Sequence, residues 1–238
     1  IVIFSHGFKG FKDYGLFNLY AEAFARAGFF FTKFNFSHNG TSPEHPADFV
    51  DLEAFSNNNF SIELDDLGQV VDYCLQELPP ELAQRTDPNR LYLIGHSRGG
   101  GISILKTAQD RRVKGLVTWA SINVFGRFWD ADTMEQWKQD GIMCVANART
   151  KQQMPMKYQV YEDFYRNRER LDIPAAVKQI EQAFLAIHGT ADPTVSYEMA
   201  LEMQAWNPRV QVHLIEGANH VFGGKHPWKG HQLPEAAT

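Results

Sequence analysis

The chain predicts a three-layer α/β fold with a mostly parallel sheet and a helical insertion, and three observations carry that expectation. β-rich runs alternate with helix-period segments from end to end. Most of those runs are apolar on both faces, the pattern of strands covered by helices on each side. One connection, residues 122–182, is far longer than the dozen or so residues a crossover needs. The chain has 238 residues, of which 44% are hydrophobic, enough for a packed core and unlike a disordered chain. At about 150 residues per domain, one large domain or two small ones fit the length.

Taken in order, the strand candidates are residues 1–5, 29–36, 91–95, 115–121, 184–188 and 210–215. Between the first two, residues 16–27 place Leu16, Leu19, Tyr20, Ala23 and Phe24 on one helical stripe. The run Asn57-Asn58-Asn59 reads as a loop that ends in a cap for the next helix. Residues 64–78 carry Leu64, Leu67, Val71, Cys74, Leu75 and Leu78 on one stripe, and 100–109 and 196–206 follow the same period. Strand–helix alternation implies right-handed crossovers. The long connection is rich in aromatic and methionine side chains: Phe125, Phe128, Trp129, Met134, Trp137, Met143, Met154, Met156, Tyr158, Tyr161, Phe164 and Tyr165. It reads as a helical cap over residues 122–182, set into a core made of residues 1–121 and 183–238, so that one domain with a cap replaces two. About a third of these side chains are expected to line a pocket and the rest to pack the cap.

Composition removes several function classes. A formal net charge of −5 leaves no basic footprint for nucleic acid. No apolar run approaches the ~18 residues of a membrane helix, and mean hydropathy is −0.36. Two cysteines, Cys74 and Cys144, are expected as buried reduced thiols, which favours a reducing, cytoplasmic compartment. The partner expected is a small molecule, with no membrane or nucleic acid, and the chain a monomer or homodimer.

The chemistry is concentrated at Gly95-His96-Ser97-Arg98-Gly99, which follows the third strand candidate and opens a helix. This is the G-x-S-x-G nucleophile elbow: a turn so sharp that its flanking residues must be small, with the serine at a helix N-terminus that favours a developing anion. Chance supplies only about 0.05 such matches in a chain of this composition. No Lys-Ser/Thr follows the glycines and the G-x-G-x-x-G spacing is absent, which argues against phosphate-binding loops. A serine nucleophile needs a base and an orienting acid. Asp192 follows the strand ending at His188, and His220 follows the strand ending at Ile215, so both sit in loops past strand C-termini, where open parallel sheets bind ligands. The order Ser97, Asp192, His220 is that of the elbow enzymes. The oxyanion donors are expected to be the backbone N–H groups of Arg98 and of Phe8, the latter in the His6-Gly7-Phe8 loop after the first strand.

The motifs His6-Gly7-Phe8, Ser37-His38-Asn39-Gly40-Thr41-Ser42, Gly95–Gly99, His188-Gly189-Thr190-Ala191-Asp192, Gly217-Ala218-Asn219-His220 and the tail Phe222-Gly223-Gly224-Lys225-His226-Pro227-Trp228 make the chain resemble the α/β-hydrolase superfamily over nearly its whole length. Within it the chain resembles bacterial dienelactone-hydrolase-like and cinnamoyl (feruloyl) esterase-like proteins. Dienelactone hydrolases carry a cysteine nucleophile where this elbow has Ser97, so their substrate is not carried over. The resemblance implies a serine hydrolase of carboxylic esters with the α/β-hydrolase fold, a cap, and no cofactor or metal. It also implies one or two strands upstream of Ile1 and a final helix beginning near Leu233, hence a chain clipped at both ends.

The catalytic set expected is therefore Ser97, Asp192 and His220, with Phe8, Met134 and Trp137 as pocket residues. His6 and His96 are expected to shape turns, and His188 to be a buried, satisfied histidine. His38, His45, His213, His226 and His231 lack metal-ligand spacing. Arg149, Lys151, Arg166, Arg168 and Arg170 make the insertion locally basic, either a solvated face or one arginine that recruits a substrate carboxylate. The same triad also serves thioesterases, acyltransferases and prolyl-oligopeptidase-like peptidases. A non-catalytic binding protein on this fold is the rival from another class.

Overall fold

A computed structural model describes residues 1–127 and 129–237. Phe128 of the insertion and Thr238 lie outside the described residues. In chain order the elements are β1 (Val2–Ser5), α1 (Phe17–Arg26), β2 (Phe31–Lys33), α2 (Leu52–Ser56), α3 (Phe60–Asp72) continued by a π-helical turn (Tyr73–Glu77), α4 (Pro80–Ala83), β3 (Leu91–His96), α5 (Arg98–Gln109) and β4 (Val113–Trp119). They are followed by α6 (Ala131–Asp140), β5 (Ile142–Ala146), β6 (Gln153–Lys157), α7 (Gln159–Arg166), α8 (Ile173–Gln179), β7 (Ala183–Gly189), α9 (Glu198–Trp206) and β8 (Val210–Ile215). No helix among the described residues is long and apolar enough to cross a membrane.

Six strands form one sheet in the order β2-β1-β3-β4-β7-β8, and every neighbouring pair is parallel. The period of two divides the sheet's side chains between two cores. Ile1 and Ile3 face a layer with Leu64, Leu67 and Val71 of α3 and Ile102 and Leu105 of α5. Val2 and Phe4 face the opposite layer with Phe17 of α1, Trp119 and Phe222. The chain winds outward from β1 to β2 on one side and from β3 to β8 on the other. The loops after β1 and β3 therefore open a crevice at the point where strand order reverses, the usual ligand site of such sheets.

Helix α3 begins at Phe60 because the Asn59 side chain accepts the Ile62 N–H at 2.9 Å. Asn58 is buried and Asn59 caps, so the expected loop-and-cap role falls on these two. Strand β2 covers only three of the eight residues expected, 29–36, since the segment leaves the ladder after Lys33.

The 122–182 connection differs from a purely helical insertion. It contains an antiparallel hairpin, β5 with β6, joined by residues 147–152. Burial alternates along β5, and this puts Cys144 on the exposed side: of the two free cysteines only Cys74 is buried. Helix α8 packs on α5 and α9 in the main layer, with Ile173 and Val177 in the core, as a β4-to-β7 crossover helix would. The hairpin instead lies against the loop after β1 and α2: Lys9 Nζ donates to the Ala146 carbonyl (2.9 Å), Gln152 Nε2 to Phe49 O (2.9 Å), and Lys157 pairs with Glu53.

Candidate active site

Ser97 sits between the C-terminus of β3 and the first turn of α5 with φ 56° and ψ −121°. A non-glycine residue at positive φ costs about 1–3 kcal/mol and persists only where its surroundings hold it. The glycines around it are required by contact. A Cβ on Gly95 would lie 2.6 Å from the Gly100 Cα, and one on Gly99 would collide with the carbonyl oxygens of Ser5 and His6. The approach of the first loop is equally close. A Cβ on Gly7 would fall 2.8 Å from the Ser97 Cβ and 3.3 Å from its Oγ. The His6-Gly7-Phe8 backbone therefore passes directly beside the serine.

Asp192 and His220 meet although they lie 28 residues apart. His220 Nδ1 is 2.7 Å from Asp192 Oδ2. Their loops are stitched together: the Thr190 N–H donates to Ile215 O (3.0 Å), Ala191 N–H to Ala218 O (3.0 Å), and Gly217 N–H to Thr190 Oγ1 (2.9 Å). The Asp192 carboxylate is wholly shielded from solvent, and the imidazole of His220 is 18% exposed. Oδ1 accepts the N–H groups of Thr194 (2.8 Å) and Val195 (2.9 Å). The turn-capping use of Asp192 and its bond to His220 thus occupy different oxygens. Burial pushes the Asp192 carboxyl up, but hydrogen bonds from His188, His220 and the Val195 N–H outweigh it and hold the group well below the usual carboxylate range. An ionised Asp192 can only accept, so Nδ1 of His220 carries the proton and Nε2 is left free to act as a base.

The neighbouring histidines are structural in their bonding. His96 Nε2 donates to the His220 carbonyl at 2.9 Å, with its ring 4.8 Å from that of His220. Burial, then the nearby His220, lowers its pKa to about 3. His6 bonds the Gly7 carbonyl through Nδ1 (2.9 Å) and accepts the Phe36 N–H at Nε2 (3.3 Å), which ties the first loop to the segment after β2. Burial lowers its pKa to about 4. His188 is 1% exposed, donates to Val195 O (2.9 Å), and stands 3.3 Å from Asp192 Oδ2.

Phe8 and Arg98 lie against each other: the Arg98 guanidinium carbon is 4.3 Å from the Phe8 ring centre. Trp137 and Met134 are placed elsewhere. Trp137 is 1% exposed, donates its indole N–H to Met156 O (2.8 Å), and packs on Trp129 and Tyr158. A side chain so enclosed has no face left for a ligand, so its expected pocket role gives way to packing within the insertion. Met134 is half-buried and packs into the same core. Of the basic residues in the insertion, Arg170 pairs with Asp65 and Arg149 lies over the rings of Phe11 and Phe49.

One neighbour of the elbow is invisible to motif reading. Glu63 of α3 is buried beside the elbow and pairs with Arg98 at 2.6 Å. The only signal was an acid on an otherwise apolar stripe with Phe60, Leu64, Leu67 and Val71, a position that demands a partner.

Comparison with known proteins agrees with this fold. The chain is similar to Est1E from Butyrivibrio proteoclasticus, solved with ferulic acid bound, at 18% identity over 92% of this chain and 80% of that one, with a TM-score of 0.68. It is similar to a putative hydrolase from Agrobacterium vitis at 18% identity over 93% and 80%, TM-score 0.71. A putative dienelactone hydrolase from Klebsiella pneumoniae matches at 14% identity over 95% and 79%, TM-score 0.56. No curated protein matches the chain by sequence. At these identities the structures speak for the fold alone, but the sequence model of the alpha/beta hydrolase family matches residues 2–229, nearly the whole chain. The chain belongs to the alpha/beta hydrolase family.

Proposed function

We propose that the protein is a serine hydrolase of small carboxylic esters, with Ser97 as nucleophile, His220 as general base and acid, and Asp192 as the orienting carboxylate. The observation that carries this reading is the 2.7 Å bond between Asp192 and His220, made by two loops that converge on the sheet edge where Ser97 stands at positive φ. His220 Nε2 takes the Ser97 proton as Oγ attacks the ester carbonyl, and Asp192 stabilises the imidazolium. The tetrahedral oxyanion is held by the N–H groups of Phe8 and Arg98. Collapse breaks the ester C–O bond, with His220 returning the proton to the departing alcohol. Water, activated by the same imidazole, then releases the acid from Ser97.

The part of residues 122–182 that precedes α8 acts as the cap in this reading, with the β5–β6 hairpin beside the oxyanion loop. The partly exposed Phe8 ring beside the elbow suits an apolar acyl or aryl group of small to medium size, and Est1E with its bound ferulic acid is consistent with an aromatic one. A panel of aryl esters, acyl-CoA thioesters and aminoacyl amides tests the class. The aryl esters are expected to give the highest kcat/KM. A preference for thioesters or amides by tenfold or more would overturn the ester assignment.

A further inference from the structure

Both residues given to the oxyanion hole are held through one side chain. Arg98 follows the nucleophile, and its guanidinium folds back against the Phe8 ring (4.3 Å) and lies 5.7 Å from the Phe60 ring. It is 14% exposed and its Nη2 donates to Glu63 Oε1 at 2.6 Å. Glu63 is 3% exposed, and the same Oε1 accepts Asn58 Nδ2 at 2.7 Å. Burial raises the Glu63 carboxyl above the usual carboxylate range, and the nearby Arg98 charge opposes this only in part. An acid and a guanidinium are expensive to bury, and an apolar pair would not carry that cost. Arginine also differs from lysine in offering a flat face that stacks on an aromatic ring while its edge pairs with a carboxylate.

Resting on the serine-hydrolase reading, we infer that Arg98 and Glu63 are positioning residues for the oxyanion hole. Glu63 fixes the guanidinium, the guanidinium fixes the Phe8 ring, and the Phe8 and Arg98 N–H groups are thereby held at the spacing an oxyanion needs. The Gly7 backbone, packed on Ser97, is the pivot: without the ring contact, the Phe8 N–H swings about it. Misplacing a donor by about 1 Å costs on the order of 10²-fold in rate, and outright loss of one costs about 10²–10³-fold. The clamp acts on the transition state and leaves ground-state binding of the ester unchanged.

The test compares wild type with Glu63→Gln, Arg98→Lys and Phe8→Leu, each read in three ways: kcat and KM on p-nitrophenyl acetate, the inhibition constant of an aryl trifluoromethyl ketone whose hemiketal oxyanion occupies the hole, and the fraction of folded protein by circular dichroism. Phe8→Leu removes the ring yet keeps the backbone donor and the buried ion pair, so it serves even where the Glu63 variant folds poorly. The expected result is a kcat lower by about 10–100-fold in each variant, with KM within about twofold in Glu63→Gln and Arg98→Lys, and trifluoromethyl ketone affinity lowered by the same factor per folded molecule. Rates that fall only with the folded fraction, while ketone affinity per folded molecule stays at the wild-type value, overturn the clamp and leave the pair a packing feature. A raised KM with unchanged kcat in Arg98→Lys also overturns it and makes Arg98 a substrate contact. A wild-type protein that neither hydrolyses the ester nor takes a fluorophosphonate on Ser97 defeats the serine-hydrolase reading itself, an outcome distinct from failure of the clamp alone.

Discussion

Asp192→Asn changes one atom in the shielded group on which the orientation of His220 depends. Asp192 Oδ1 faces two donors, the N–H groups of Thr194 and Val195 at 2.8 and 2.9 Å. An asparagine must turn its oxygen to that side, because its NH₂ there would meet two further N–H groups. The NH₂ then faces His220 Nδ1 at the 2.7 Å position. Two donors cannot share that line, so the imidazole adopts the other tautomer, with the proton on Nε2 and no lone pair to take the Ser97 proton. In a triad this change is worth about 10⁴ in kcat, or about 5.5 kcal/mol of transition-state stabilisation. The fold suffers less. The two backbone bonds that cap the turn survive, and the chief loss is one facing donor at His188, 3.3 Å away, at about 1–3 kcal/mol. The assay is p-nitrophenyl acetate turnover beside urea unfolding of the same preparation. A variant that stays folded and keeps kcat within tenfold of wild type refutes the role given to Asp192.

Two further outcomes concern stability. His6 and His96 ionise near 4 and 3 in the folded protein because burial excludes the charged form, against about 6.5 when unfolded. Below pH 6.5 the unfolded chain therefore binds more protons, so the stability these rings contribute is complete above that pH and is lost as pH falls toward 4. At pH 5 each has given up about 2 kcal/mol; urea midpoints at pH 7 and pH 5 read it directly, and a midpoint that does not fall contradicts the neutral, buried assignment. Trp137→Ala removes a 1%-exposed indole from the insertion's core and is expected to cost about 3–5 kcal/mol in the same urea assay. A loss under 1 kcal/mol would mean the indole is not packed as described.

The inner strands of the sheet were legible because burial on both faces leaves apolar runs that no surface requirement dilutes, while the outer strands β2 and β8 are only partly buried. Each of the six expected strand runs, from 1–5 to 210–215, contains a strand of the parallel sheet, the second only over Phe31–Lys33. The residues of the site were legible because the elbow tolerates so little: Gly95 and Gly99 stand where any Cβ would collide, and this constraint is written in the sequence as a motif. The β5–β6 hairpin was hidden for the opposite reason. Met143, Cys144, Met154 and Met156 are side chains without strong strand preference, and Pro155 lies within the run that pairs with Cys144, tolerable because the hairpin is two-stranded and open at its edges. Trp137 misled because a large aromatic in an insertion looks the same from composition whether it faces a ligand or its own core. The pairing of Glu63 with Arg98 escaped because an ion pair between residues 35 apart leaves no motif: Arg98 was expected only for its backbone N–H, the acid on the apolar stripe of α3 did not name its partner, and only the fold brings the two together.

Intact-mass spectrometry after treatment with a fluorophosphonate, followed by peptide mapping, addresses the reaction at its first covalent step. The label should add once per chain, on Ser97, at a rate that collapses by about 10³-fold or more in His220→Ala, while Ser97→Ala takes no label and loses ester turnover by a similar factor. A folded protein that stays unlabelled, or a Ser97→Ala variant that still turns over p-nitrophenyl esters at the wild-type rate, contradicts the assignment of Ser97 as a nucleophile.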